Sequence, residues 1–182
     1  TEFGGSIPLD EIEQMIADNP QWTKEKIRQE LLRKQLREGK GYVSQLVGKK
    51  LTLSPGLTKT WSANDIEAMI KVGYTNTHFA VLLGLRPLSD ATTPEGRPLT
   101  WHALADSVPF HGVSLQEIDA VLDNPSRTAH QSDGGTAYIK STKQGISLVI
   151  TSRDGKIVTA LKNLKPAALK QLGRNYGFDP NP

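Results

Sequence analysis

The last third of the sequence contains side chains that could act on a phosphate group. Arg127 and His130 lie in one strand-like segment, and Tyr138 and Lys140 lie two positions apart in the next. Because side chains alternate along a strand, Tyr138 and Lys140 share a face. Further hydroxyl and amino groups follow on two later segments, at Thr151, Ser152, Thr159 and Lys162.

These residue types are the ones that metal-free cleavage of RNA requires. A general base removes the 2′-hydroxyl proton, a general acid protonates the leaving 5′-oxygen, and fixed cations stabilise the phosphoryl charge. Histidine can be either acid or base near neutral pH, and both roles stay open for His130. We predict that Arg127 and Lys140 stabilise the phosphate and that Thr159 orients the phosphate or the 2′-hydroxyl. The predicted substrate-binding residues are Tyr138, Thr151, Ser152, Lys162 and His111.

Each candidate also has a purely structural interpretation. His130 can be an exposed strand residue, Arg127 can pair with Asp123, and Thr159 can reflect the preference of threonine for strands. His111 precedes a helix and can serve only to shape a loop. The pattern alone leaves these alternatives open.

Composition narrows the chemistry further. The 182-residue chain has a net charge of +3, yet residues 126–182 hold nine Lys and Arg against three Asp, and residues 61–125 hold three against eight. A basic segment of this kind indicates an anionic partner. The chain has no cysteine, which excludes disulfides and thiolate chemistry. Its four histidines lack the paired spacing of a metal site, and no nucleotide-binding motif is present, so we predict neither a metal nor a cofactor.

Two regions can be distinguished along the chain. Residues 6–104 are predicted to form a helical domain, with helices near 9–18, 23–38, 62–71 and 77–83 and a proline-rich loop over 86–98. We exclude residues 1–5 as a flexible lead. The longest apolar run, Phe79–Leu85, is far shorter than the ~20 residues that span a bilayer, so we predict no stable membrane span.

Residues 105–182 are predicted to form a helix, a four-stranded antiparallel sheet and a final helix, which makes the chain α+β. Ser114 and Glu117 have the spacing of a helix capping box, and Pro166 begins the last helix. Asp-Gly and Gly-Gly turns between β-type runs indicate hairpins. The predicted strands are Arg127–Gln131, Thr136–Ser141, Ile146–Thr151 and Lys156–Lys162.

Residues 62–84 offer an alternative, because two short helices here resemble a helix-turn-helix. Sequence-specific DNA binding by this segment would require it to contact phosphates. Its surroundings are acidic, which disfavours that contact. Ordinary helix packing is therefore the default interpretation of this segment.

Two stretches resemble a known family. They are Phe110–Thr128 with Gln131–Gly134, and Leu148–Ala160. Together they resemble the C-terminal ribonuclease domains of bacterial polymorphic toxins, especially those of contact-dependent growth inhibition, in the barnase/EndoU/colicin/RelE-like superfamily. The resemblance spans residues 105–178 and implies one or two helices against a four-stranded antiparallel sheet.

That resemblance implies a metal-independent ribonuclease toxin, often a tRNase, neutralised by a cognate immunity protein. It also implies secretion or cell-surface delivery as part of a larger protein, followed by action in the cytoplasm of a competing bacterium. Residues 6–104 would then correspond to a variable region, which in some such toxins serves passage into the target cell. The main rival is a non-enzymatic module that binds RNA with the same basic sheet.

Overall fold

The structure, a computed structural model, describes residues 7–180 and divides into two compact units between Asp90 and Ala91. Helices and antiparallel strands both occur, which confirms the predicted α+β class. The lead predicted for residues 1–5 lies outside the described residues. None of the helices within residues 7–180 combines the length and apolar character that a bilayer crossing requires.

The N-terminal unit is mainly helical, as predicted, and adds one small hairpin that the sequence did not indicate. Ile12 of the first helix packs against Ile27 and Leu31 of the second. The hairpin turns at Ser54–Leu57, where Gly56 adopts a positive φ of 80°. The elements are α1 (Leu9–Asp18), α2 (Lys24–Glu38), α3 (Gly41–Leu46), β1 (Lys50–Ser54), β2 (Leu57–Thr60), α4 (Ala63–Lys71), α5 (Asn76–Leu82) and a 3₁₀ turn (Leu88–Asp90).

The burial of the second helix, α5, argues against DNA binding by the helix-turn-helix-like segment. Five of the seven residues of α5, His78–Leu82, are buried, and the His78 ring stacks on Tyr74 with centroids 4.9 Å apart. A recognition helix must offer a free face to base edges in the major groove. Helix α5 lacks that face because its side chains form the core of the unit.

The C-terminal unit contains the predicted meander between helices. All four strands and the final helix were predicted to within a few residues. The elements are a π-helical turn (Ala103–Ser107), α6 (Val108–His111), α7 (Leu115–Asp123), β3 (Arg127–His130), β4 (Thr136–Thr142), β5 (Gly145–Thr151), β6 (Ile157–Leu164) and α8 (Pro166–Tyr176).

The sheet has the order β3-β4-β5-β6, and its two faces contact different helices. On one face, Ile139 and Leu148 pack with Leu169 and Phe178, so this is the α8 face. The side chains that alternate with them point to the other face, which α7 partly covers. The two faces decide which of the predicted residues can act together.

Residues 91–104 belong to the C-terminal unit, which corrects the domain boundary predicted at 104/105. Leu99 forms a parallel bridge with Ile157, and the Thr100 N–H donates to the Ile157 carbonyl at 2.9 Å. Arg97 donates to Asp119 and Asp123 of α7 at 2.9 and 2.7 Å. The prolines of residues 86–98 predicted a loop of the N-terminal domain, but hydrogen bonds of Thr100 and Arg97 join residues 91–104 to the sheet and to α7.

Candidate active site

A groove of about 460 Å³ opens between α7 and the sheet. Its walls come from one face of α7 and from the ends of β4, β5 and β6 nearest the β4–β5 turn. Two residues predicted from the sequence, Lys140 and Lys162, line it. The full lining is Glu117, Ala120, Val121, Lys140, Thr142, Gln144, Ser147, Lys162 and Asn163.

The register of the strands explains why Lys140 and Lys162 both line the groove. Lys140 of β4 pairs with Ser147 of β5, so both side chains lie on the α7 face. The β5–β6 register shifts between Ile146 and Leu148, which leaves two β6 residues, Lys162 and Asn163, opposite Ser147. Lysine, serine and lysine thus form a row across three strands on the groove floor.

Asn163 holds the bulge that interrupts β6. It is the one non-glycine residue with a positive φ, 58°, among residues 7–180. This left-handed conformation is sterically costly for most side chains, and asparagine tolerates it better than branched residues do. The bulge is adjacent to Lys162 and therefore affects where that lysine enters the groove.

Glu117 is the carboxylate of the groove, and its role differs from the one predicted. The Ser114 hydroxyl accepts the Glu117 N–H at 3.0 Å, as a helix cap should. The Glu117 carboxylate does not complete the capping box. Its oxygens lie 3.4 and 3.5 Å from Lys162 Nζ across the groove instead. The capping-box motif gave Glu117 a structural role, so the sequence did not indicate it as a site residue.

His111 and Thr159 meet in a second polar cluster, together with Ser107, which the sequence did not single out. The Ser107 hydroxyl hydrogen-bonds to the Thr159 hydroxyl, accepts the Ala160 N–H at 3.2 Å and lies 3.1 Å from His111 Nδ1. Ser107 and Thr159 are buried. Thr159 is therefore a structural partner of Ser107, and its hydroxyl is buried in this structure.

The surroundings of His111 select its tautomer. His111 Nδ1 lies 3.0 Å from the Ala160 carbonyl oxygen, which can only accept a hydrogen bond, so Nδ1 carries a proton. In the neutral ring, Nε2 then carries the lone pair. The His111 side chain is exposed.

His111 is outside the lining of the groove but contacts the strand that carries Lys162. Ala160, whose carbonyl it contacts, is two residues before Lys162 on β6, a separation of about 7 Å along the strand. Both residues are on the α7 face, because Ala160 pairs with Val149 of β5 and Lys162 lines the groove. One carboxylate and two ammonium groups thus lie at one end of the sheet, and the imidazole contacts the middle of β6.

Arg127 and His130, both predicted to act on an RNA phosphate, lie on opposite faces of the sheet. Arg127 pairs with Ile139 on the α8 face, and its Nη2 donates to the Asp179 carbonyl at 2.9 Å. His130 pairs with Thr136 on the other face. Residues three positions apart on a strand point in opposite directions, so one substrate cannot contact both side chains. Arg127 does not pair with Asp123, which is bound by Arg97.

His130 is also remote from the two lysines. Thr136, opposite His130, and Lys140 are four residues apart on β4, or about 13 Å along the strand. Tyr138 lies between them on the same face. Among the predicted substrate-binding residues, Thr151 is buried and cannot contact a ligand in this structure.

Ser152 belongs to the β5–β6 turn rather than to a binding surface. Its hydroxyl bonds to the Asp154 carboxylate, which lowers the pKa of Asp154, and accepts the Lys156 N–H at 3.1 Å. These bonds account for a serine at this position. The turn is at the end of the sheet opposite to the groove.

Arg97 holds α7 at the distance that forms the groove. Besides its two bonds to α7, it donates to Glu95 at 2.8 Å, and the Glu95 N–H donates to the buried Asp119 carboxylate at 3.0 Å. The Asp123 carboxylate raises the pKa of Arg97, and Arg97 in turn lowers the pKa of Asp123. The carboxyl group of Glu95, which hydrogen-bonds to Asp123, has a raised pKa.

No group of three or more His, Asp or Glu side chains with metal-binding geometry occurs in the described part of the chain, residues 7–180. Comparison with known proteins gives no further guide to the site. The chain matches no protein-family model, no curated protein and no solved structure.

Proposed function

We propose that residues 91–182 form a metal-independent endoribonuclease whose active site is the groove between α7 and the sheet. The observation that carries the proposal is the meeting of Glu117 with Lys162 in the groove, with Lys140 beside them and His111 in contact with the strand that carries Lys162. These are the group types that RNA cleavage by internal transfer needs, namely an acid–base pair and fixed cations.

In the proposed reaction the 2′-oxygen attacks the phosphorus and the bond from phosphorus to the 5′-oxygen breaks. One member of the Glu117–His111 pair takes the 2′-hydroxyl proton, and the other protonates the leaving 5′-oxygen. The products are a 2′,3′-cyclic phosphate and a free 5′-hydroxyl. Lys140 and Lys162 stabilise the negative charge on the phosphoryl oxygens.

The ion pair between Glu117 and Lys162 has a role in this scheme. A phosphate entering the groove competes for Lys162, because its oxygens are also anionic acceptors. The Glu117 carboxylate then loses its cation and becomes available to accept a proton. Both side chains are partly exposed, so breaking their contact costs little, on the order of 1 kcal/mol or less.

Further support comes from the resemblance described for residues 105–178. It implied one or two helices against a four-stranded antiparallel sheet, and the C-terminal unit has helices on both faces of such a sheet. We extend the proposal to what that resemblance implies. The substrate is tRNA in a competing bacterium, a cognate immunity protein blocks the site, and the protein is delivered from the producing cell.

The test is cleavage of total tRNA by the full chain in EDTA. We expect the parent protein to cleave, Glu117→Gln and His111→Ala to lose most activity, and His130→Ala to retain it. Intact RNA under these conditions, with binding retained, favours the rival non-enzymatic module. If only His130→Ala loses cleavage, the acid–base group is His130, and the active site is not the groove.

A further inference from the structure

Four lysines of the C-terminal unit lie at one end of its sheet. Lys143 follows Lys140 by three positions in the β4–β5 turn, and Lys165 follows Lys162 by three positions after β6. Leu164 pairs with Ile146 at the start of β5, so both chain segments finish at the same sheet end. Lys143 and Lys165 are exposed, and each lies within roughly 10 Å of a groove lysine.

Two carboxylates lie near these lysines. Glu117 contacts Lys162, and the pKa of Asp123, which is bound by Arg97 at 2.7 Å, is also lowered by Lys140. The other end of the sheet differs, because its two turns hold Asp133 and Asp154 beside Arg153 and Lys156, two acids with two bases. We call Lys140, Lys143, Lys162 and Lys165 the lysine end.

A single scissile phosphate does not account for four lysines. Lys140 and Lys162 line the groove, but Lys143 and Lys165 lie outside it. A polynucleotide carries one phosphate per residue, and each lysine that it contacts releases counterions and adds affinity. Lys143 and Lys165 lie on two different sides of the groove, where they can bind the phosphates that precede and follow the reacting one.

We infer that Lys143 and Lys165 bind the phosphates flanking the cleaved one, so that the site takes a single-stranded polyribonucleotide across the lysine end. This inference rests on the proposed function, because it assigns Lys140 and Lys162 to the scissile phosphate. A duplex keeps its phosphates on the outside of a wide cylinder and cannot lower one to the floor of a groove of about 460 Å³. Unpaired loops and ends can.

The test compares two double variants of the full chain. Lys143→Ala with Lys165→Ala removes two charges from the lysine end. Lys156→Ala with Arg174→Ala removes two charges from the opposite end, because α8 finishes at Gly177, whose carbonyl accepts the Ser132 N–H of the β3–β4 turn at 3.0 Å. The substrates are a single-stranded RNA dodecamer, the same sequence as a duplex, and a dinucleotide.

We expect the first variant to lower kcat/KM on the dodecamer about tenfold more than on the dinucleotide. The slope of log affinity against log salt for the dodecamer should decrease by about 1.4, since each contact on a single strand contributes about 0.7. The control variant should match the parent in both measurements. Equal losses on dodecamer and dinucleotide, or equal losses in the two variants, would overturn the inference, as would a duplex that is cleaved as fast as the single strand.

Binding separates this inference from the proposed function. If the parent cleaves no RNA, the proposed function fails, and the affinity of a fluorescein-labelled dodecamer still tests the lysine end. A salt slope that decreases only in the first variant supports a single-strand binding surface there. A slope that is the same in both variants rejects it.

Discussion

Glu117 Oε2 lies 3.4 Å from Lys162 Nζ, joining the first turn of α7 to a bulged segment of β6. The same residue keeps its backbone N–H on the Ser114 hydroxyl, so the helix cap does not depend on the carboxylate. The backbone of Glu117 thus stabilises the helix end, while its carboxylate is available for the proposed reaction. Substitutions can therefore test the site without unfolding the helix.

Glu117→Gln should lower tRNA cleavage by about 10²-fold or more, because the amide can neither take up nor supply a proton. Glutamine has the same shape and leaves the bond to Ser114 intact. The melting temperature should change little, since an exposed ion pair contributes about 1 kcal/mol or less. Initial rates in EDTA and thermal unfolding are the measurements. Glu13→Gln, on the N-terminal unit, is the control for a lost carboxylate and should cleave at the parent rate.

His111→Ala and His130→Ala distinguish two possible positions of the acid–base group. We expect the first to lower cleavage by about 10²-fold and the second to leave it near the parent rate. The reason is that only His111 contacts the strand that carries Lys162 and has its Nδ1 proton held by a carbonyl oxygen. Rates of 2′,3′-cyclic phosphate formation measure both variants. The opposite order would contradict the groove as the active site.

Ser107→Ala should destabilise the C-terminal unit by about 1–3 kcal/mol. The substitution leaves the buried Thr159 hydroxyl and the Ala160 N–H without their partner. Urea unfolding provides the measurement. Ser141→Ala, a substitution at an exposed serine on β4, is the matched control and should stay within about 0.5 kcal/mol of the parent.

Asp123→Asn should change the response of stability to acid. The hydrogen bond with Arg97 lowers the pKa of the folded Asp123 below the usual range of an aspartate. A carboxyl group with a lowered folded pKa contributes stability above its unfolded pKa, and that contribution is lost as the pH falls through the folded value. The parent should therefore lose urea resistance more steeply below about pH 4 than the variant does. Glu95, with its raised pKa, acts in the opposite direction, so Glu95→Gln should not reproduce this effect.

Asn163→Gly and Asn163→Val test the bulge next to Lys162. Glycine adopts the positive φ of 58° without strain, whereas valine should cost about 1–2 kcal/mol or force β6 into a regular register. We expect the glycine variant to cleave near the parent rate. The valine variant should cleave more slowly because Lys162 is displaced. If the two variants cleave RNA at equal rates at comparable folded fractions, the bulge is not required for activity.

The meander was predictable because its turns and strands follow local rules. Asp-Gly turns, capping residues and period-two alternation each act over a few residues. The same alternation already separates Arg127 from His130, since three positions on a strand reverse the side-chain direction. The spacing of these two residues therefore already places their side chains on different faces of the sheet.

Other features could not be predicted because they arise from tertiary contacts. Nothing local to Asn163 indicates a bulge, and nothing local to Ser107 indicates a partner at Thr159, 52 residues later. Glu117 satisfied a motif that explained it without reference to the sheet. The β1–β2 hairpin was missed because its strands are short and mostly polar.

The π-helical turn before α6 determines the direction in which the side chains of α6 point around the helix axis. The Val108 N–H bonds five residues back to Ala103, and the ring of Pro109 cannot donate to Ala105, which an unbroken α-helix would require. A turn of this kind holds one residue more than an α-helical turn. Deleting Ala105 would restore α-helical spacing and rotate His111 by about 100° about the axis. The imidazole would then leave the Ala160 carbonyl, so one inserted residue keeps the histidine aimed at the sheet.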